Sequence, residues 1–217
     1  MLILGIDTTE KNINLALADD KKILYEIEET SPKTEELINQ IVTLFKKSKK
    51  ESKELSAIGV ITGPGGYTGT RSGVSVAKTI SQFLQIPIVG INKLEALLFS
   101  YDHKLTTAPM INIKRNEAYT CLADFTNDQI NYILKPKVMA LESFIEFLKN
   151  QKVEIKVLAY EFEAKKDLFS ELPDNIKIDF SFHLKPSHIT KITADFINVG
   201  KTSTFLEVTP FYIREAI

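Results

Sequence analysis

Leu4-Gly5-Ile6-Asp7-Thr8-Thr9 is an apolar run that stops on an acid and two hydroxyls, and Ile111-Asn112-Ile113-Lys114-Arg115-Asn116 stands in the same local setting about half a chain later. Around the first stretch, residues 2–7 read as a buried strand. Residues 12–18 alternate Ile13, Leu15 and Leu17 with polar or small residues, the period of a half-buried strand. Asp19-Asp20-Lys21-Lys22 is a polar turn, and residues 23–28 form a third strand. An amphipathic helix follows, with Leu37, Ile38, Ile41, Val42, Leu44 and Phe45 on its apolar face. Ser31 or Thr34 is expected to cap it, with Pro32, Glu35 and Glu36 in its first turn. Lys46, Lys47, Lys49 and Lys50 close it, where cations complement the helix dipole. A strand at 57–62, a helix to about Leu84, a strand at 86–91 and a helix at 94–101 complete the order βββαβαβα.

The same order then starts again. Strands are expected at 110–114, 118–125 and 130–139, with a turn at Thr126-Asn127-Asp128. A helix at 141–148 carries Phe144, Ile145 and Leu148 on one face, and a strand follows at 153–159. Beyond it the reading is a helix at 162–169, a strand at 176–180, a helix at 189–199 and an extended segment at 205–213. The chain is thus an internal duplication. It resembles the actin-like ATPase (ribonuclease H-like) fold, an α/β plan of two duplicated lobes with mixed sheets and flanking helices. The expected division is an N-terminal lobe at 1–103 and a C-terminal lobe at 104–217. In that fold each lobe offers a hairpin turn to nucleotide phosphates, and acids at both turns help hold magnesium, a hard cation that wants carboxylate oxygens. Here Asp7 keeps the acid at the first turn, but Lys114-Arg115 stands at the second. Two cations repel a metal, although they can bind phosphate directly. Asp7, Thr8, Thr9, Lys114 and Arg115 are therefore the candidate phosphate or nucleotide residues. The alternative for Asp7 is a turn residue bonded to its own backbone.

Bulk properties narrow the class. With 27 Lys and Arg against 28 Asp and Glu, the net charge of −1 lacks the basic excess of a freestanding nucleic-acid binder. The lysine run at 46–50 reads as a solvated helix end, with a tRNA contact as the alternative. The single cysteine, Cys121, sits in an alternating apolar run and is expected to be a reduced core thiol. His103, His183 and His188 lack the spacing that sets two imidazoles on one helix face, so no metal site is expected. The apolar start is cut by Asp7, and no apolar run approaches a membrane span. A cytoplasmic protein without membrane contact is expected.

Gly63, Gly65, Gly66, Gly69 and Gly73, five of the chain's nine glycines, lie in Gly63-Pro64-Gly65-Gly66-Tyr67-Thr68-Gly69-Thr70-Arg71-Ser72-Gly73. A tight turn after a strand is required there, with Thr68 or Thr70 as the helix cap. Helix-start N–H groups attract anions. Yet no Gly-Lys-Ser/Thr follows, and the spacing G-x-G-G-x-x-G is not the dinucleotide fingerprint. Gly69, Gly73 and Ala77 recur every four residues and so share one helix face. That face either packs on the protein's own sheet or receives a partner's helix.

These glycines, with Leu4-Gly5-Ile6-Asp7-Thr8-Thr9, Ile86-Pro87-Ile88-Val89-Gly90-Ile91 and Leu94-Glu95-Ala96, closely resemble the TsaB (YeaZ) family. Lys114-Arg115-Asn116-Glu117-Ala118-Tyr119 and Pro210-Phe211-Tyr212-Ile213-Arg214 also fit its pattern. The resemblance is strong over 1–100, moderate over 108–125 and thin from about 126 to 205. It implies a non-catalytic subunit of the bacterial machinery that makes N6-threonylcarbamoyladenosine at position 37 of tRNAs reading codons that begin with A. In that family the paralogue TsaD carries the metal and transfers the threonylcarbamoyl group. TsaB-like proteins pair with TsaD through N-terminal-lobe helices, a small ATPase, TsaE, joins the pair, and free TsaB-like proteins homodimerise through the same surface. The implied interface residues are Leu37, Ile38, Ile41, Phe45, Gly69, Arg71, Gly73, Val74, Ala77 and Ile80. ATP or ADP is implied only at the level of the complex, and tRNA only through it. The family often has His near the start of its first helix, where Lys33-Thr34 stands here. Two competing readings are an active ATPase or kinase of the same fold, and a metallopeptidase, for which no nucleophile–base pair is apparent.

Overall fold

The computed structural model describes residues 1–30, 36–113, 116–127 and 129–213. Ten strands and five α-helices are defined among them. β1 (Leu2–Asp7), β2 (Asn12–Asp19), β3 (Lys22–Thr30), β4 (Leu55–Gly63) and β5 (Ile88–Asn92) form one sheet in the order β3-β2-β1-β4-β5. β6 (Thr106–Ile113), β7 (Glu117–Thr126), β8 (Gln129–Ala140), β9 (Ile155–Leu158) and β10 (Ile176–Asp179) form a second sheet in the order β10-β9-β6-β7-β8. Read from the other edge, the second sheet has the order of the first. β1–β2–β3 and β6–β7–β8 are antiparallel meanders, and β4, β5, β9 and β10 run parallel to their inner neighbours. The expected duplication is therefore present strand for strand.

The two hairpins are built alike. Asp19 pairs with Lys22 and Thr126 with Gln129, so each loop has two residues. Asp20 and Asn127 take left-handed φ of 51° and 52° in these loops, a conformation that Asp and Asn tolerate better than most residues.

In the first unit, α1 (Leu37–Ser48) and α2 (Tyr67–Leu84) cover one face of the sheet. α1 buries Leu37, Ile41, Leu44 and Phe45, a stripe at the 3.6-residue period, against Leu4, Leu15 and Leu17. Its N-cap is Glu36, without a side-chain cap bond. The expected caps Ser31 and Thr34, with Pro32 and Glu35, lie outside the described residues, as do Lys33 and Arg214. α3 (Lys93–Ser100) follows β5 directly.

The opposite face of the first sheet receives α5 (Pro186–Asn198), which has proline in its first turn. Gly5 and Gly59, partners in the β1–β4 register, make the seat. A Cβ on Gly5 would stand 3.0 Å from Thr190 Cγ2, and one on Gly59 would overlap the Thr193 hydroxyl. Ile3, Ala57 and Ala194 complete this layer. The first unit accordingly comprises Met1–Ala96 with Leu184–Ile217, and the second Leu97–His183. A simple cut at 103/104 differs from this, because α5 finds its small-residue trench on the first sheet.

In the second unit, α4 (Leu141–Lys149) packs Leu141, Phe144, Ile145 and Leu148 on Met110, Leu122, Ile155 and Val157. Residues Tyr160–Phe169 form a 3-10 segment rather than an α-helix, interrupted at Lys165 where φ is −116°. Cys121 is a buried thiol outside any disulfide. Of the segment expected to be extended at 205–213, residues 205–207 form a turn and 208–212 run outside the ladders, where Pro210 has no N–H to give. This segment is nonetheless tied to the first unit. Ser203 bridges Ile88, the Phe211 N–H donates to Thr62 O at 2.7 Å, and Lys78 Nζ donates to Val208 O at 3.0 Å.

Candidate functional site

β1 ends at Asp7, and the turn that follows is the site to which the sequence points. Its polar side chains are satisfied locally. Thr9 donates to Asp7 Oδ1 twice, from its N–H at 2.8 Å and from its hydroxyl at 2.6 Å. The Thr8 hydroxyl donates to Gly69 O at 2.7 Å, and Gly66 N–H donates to Thr9 O at 2.6 Å. Asp7, Thr8 and Thr9 are all buried.

The glycine segment closes over this turn. Gly63 turns the chain out of β4 with φ +119°, beside the carbonyl of Phe211. A Cβ on Gly65 would collide with Thr9, one on Gly69 with the Thr8 carbonyl oxygen, and one on Gly73 with the Thr8 hydroxyl. The Gly69–Gly73–Ala77 face thus packs inward, on the protein's own first strand. The helix starts at Tyr67 with Gly66 as its N-cap, one turn earlier than a Thr70 cap requires. Thr70 is buried inside the helix and donates to Gly66 O at 2.8 Å.

Two residues that sequence reasoning did not single out complete the turn. Lys93, at the first position of α3, is 4% exposed and pairs with Glu10. Leu94 N–H donates to Asn92 Oδ1 at 2.9 Å and so fixes the start of that helix. β1, β4 and β5 are parallel neighbours, so their carboxyl ends bring Asp7, the glycine segment and Lys93 to one edge of the sheet. Lys93 looks in sequence like any helix-start lysine, and nothing local betrays its burial.

Burial pushes the Asp7 carboxyl up from its ordinary value. The Lys93 charge and the Thr9 bonds pull the other way, and Glu10 adds to the rise. A folded-state value above the unfolded one means that this group's contribution to stability is fully present below about pH 4, and is lost as pH rises through the folded value. Asp7→Asn keeps the acceptor for Thr9 and removes the buried charge. It is expected to be more stable than the parent at pH 7, with the difference shrinking toward pH 4, as urea unfolding across that range will show.

The fold implies a magnesium-bound nucleotide at such a turn. The residues here suit the cation poorly, since an ammonium faces the same turn and two hydrogen bonds from Thr9 to Asp7 Oδ1 leave one oxygen of that carboxylate to offer. Among the described residues, no cluster of three His, Cys, Asp or Glu side chains suits a metal. Lys114 and Arg115 lie outside the described residues.

The residues named for partner contact fall into two groups. Leu37, Ile41, Phe45, Val74 and Ala77 are core residues, and Gly73 is buried against Thr8. Ile38 is 52% exposed and Arg71 is exposed, while Gly69 and Ile80 are half-buried. The exposed apolar side chains near them include Val42, one turn from Ile38, and Tyr67. The Arg71 guanidinium carbon stands 3.9 Å from the Tyr67 ring centroid, and its Nε donates to Tyr212 Oη at 2.8 Å. The amphipathic pattern of α1 alone merged the inward stripe with Ile38 and Val42.

Residues 28–207 match the family model described as TsaD: tRNA N6-adenosine threonylcarbamoyltransferase. The chain belongs to this family. Within it the chain is of the TsaB (YeaZ) type. It is 27% identical over 175 residues to the tRNA threonylcarbamoyladenosine biosynthesis protein TsaB of Bacillus subtilis (strain 168), covering 79% of this chain and 76% of that one. It is 26% identical over 206 residues to the TsaB of Buchnera aphidicola subsp. Schizaphis graminum (strain Sg), covering 85% and 96%. YeaZ from Pseudomonas aeruginosa superposes with a TM-score of 0.76 at 16% identity, over 97% of this chain and 100% of that chain, which shows the shared TsaB-type fold. No described helix of this TsaB-type chain is long and apolar enough to cross a membrane.

Proposed function

We propose that this chain is a non-catalytic, activating subunit of the machinery that makes N6-threonylcarbamoyladenosine in tRNA, and that it pairs with a TsaD-like catalytic subunit. The observation that carries the reading is the likeness to TsaB proteins over most of the chain. The self-satisfied Asp7 turn supports a scaffold role, because a side chain committed to Thr9 is poorly placed to serve substrate. The contact surface in this reading is the outward side of the first unit's helices, with Ile38, Val42 and Arg71 at its centre. Aromatic and arginine side chains dominate such contacts, which suits the Tyr67–Arg71–Tyr212 cluster. A TsaE-like ATPase joins the pair, the chain alone forms a homodimer through the same surface, and tRNA is met only through the complex. Co-expression with the TsaD-like protein of the same organism tests the pairing. A single co-eluting complex is expected on size exclusion, and separate elution at micromolar concentration contradicts it.

A further inference from the structure

Nothing in the pairing reading explains why a lysine is buried at the carboxyl end of β5. Lys93 is 4% exposed and its ammonium is paired with Glu10, whose side chain is 30% exposed. Glu10 lies three residues after Asp7, on the turn that the glycine segment seals. Asp7 is itself 2% exposed. The buried Asp7 carboxylate is costly to desolvate, and the half-buried Glu10 carboxylate three residues on adds like charge to it. A cation of fixed position relieves both costs.

We infer that Lys93 is the resident cation of the Asp7 turn, so that its ammonium, seated on Glu10, supplies from within the chain the positive charge that a bound metal ion would otherwise bring to the buried Asp7. The arrangement is intramolecular. The ammonium arrives at the start of α3, and the Asn92 side chain bonded to Leu94 N–H holds that helix start in register with β4. A tethered cation needs no free metal and cannot leave with a product. The turn is then a permanently filled structural joint between β1, α2 and α3 rather than a site that loads and unloads a metal.

Thermal unfolding separates this account from a metal-binding turn. The parent protein should melt at the same temperature in millimolar Mg²⁺ as in EDTA at matched ionic strength. Lys93→Met leaves Glu10 and Asp7 without their cation and is expected to melt about 5 °C lower. The double variant Lys93→Met with Glu10→Gln removes the stranded carboxylate, and most of that loss should return. If Lys93→Met does not fold, recovery of folding in the double variant carries the same meaning. The inference is overturned by a rise of more than about 2 °C for the parent in Mg²⁺. It is equally overturned if Lys93→Met melts like the parent, or if the double variant is no better than the single one.

Discussion

Gly69→Ala is expected to destabilise the protein by about 3 kcal/mol, the upper part of the range for overpacking a close-packed contact. A new methyl there points at the Thr8 carbonyl oxygen, a backbone atom with no rotamer to escape into. Thr8 cannot retreat cheaply, because its hydroxyl bonds Gly69 O and its neighbour Thr9 accepts from Gly66 N–H and donates twice to Asp7. The helix or the strand end must move, and these bonds, two of them buried, lengthen with it. Gly66→Ser is the control. A Cβ there meets only the Thr9 carbonyl, at 3.5 Å, and serine is a good N-cap for the helix that begins at Tyr67. Chemical denaturation of both variants should show a large loss for the first and none for the second. A Gly69→Ala protein as stable as the parent would mean that α2 does not sit on the Asp7 turn as described.

Ile38→Asp combined with Val42→Asp should weaken pairing with the TsaD-like subunit about 100-fold, because two anchoring side chains are replaced by charges that must be desolvated. The two residues lie one helical turn apart, and each has about half its surface in solvent. The core stripe of the same helix, Leu37, Ile41, Leu44 and Phe45, is untouched, so folding stability should change by less than about 0.5 kcal/mol. Titration calorimetry against the partner, with unfolding measured in parallel, separates binding from folding. Unchanged affinity would move the contact surface away from α1.

Much of the fold is legible in the amino-acid sequence because its signals are local. The alternation of Ile13, Leu15 and Leu17, the polar pair after Asp19 and the turn at Asn127 define both meanders, and the repeat of that order defines the duplication. The seat of α5 is not local. It depends on Gly5 and Gly59 facing Thr190 and Thr193, pairs far apart in the chain whose small size has no meaning until the strands are aligned. The 3-10 form of Tyr160–Phe169 and the irregular course of 205–213 are likewise tertiary outcomes.

The candidate site was half legible for the same reason. Asp7-Thr8-Thr9 and the five glycines stand out by composition, but spacing alone does not say which side of a glycine face is filled. The structure shows Thr8 filling it. Lys93 and Glu10 carry no motif, and their pairing exists only because β5 ends two strands away from β1 in the same sheet. An amphipathic helix also shows its apolar width without separating the part that faces the core from the part that faces out. Leu37 and Ile38 are neighbours in sequence and opposite in exposure.

The central claim is that this chain activates a tRNA-modifying enzyme without performing the chemistry. It is tested most directly by reconstituting threonylcarbamoyl transfer to tRNA from the purified TsaD-like and TsaE-like proteins of the same organism, with and without this chain. The account predicts product only when this chain is present, a fall of at least about 100-fold when it is omitted, and none when it is incubated with tRNA and the threonylcarbamoyl donor alone. Full modification in its absence, or modification by this chain by itself, would contradict the account.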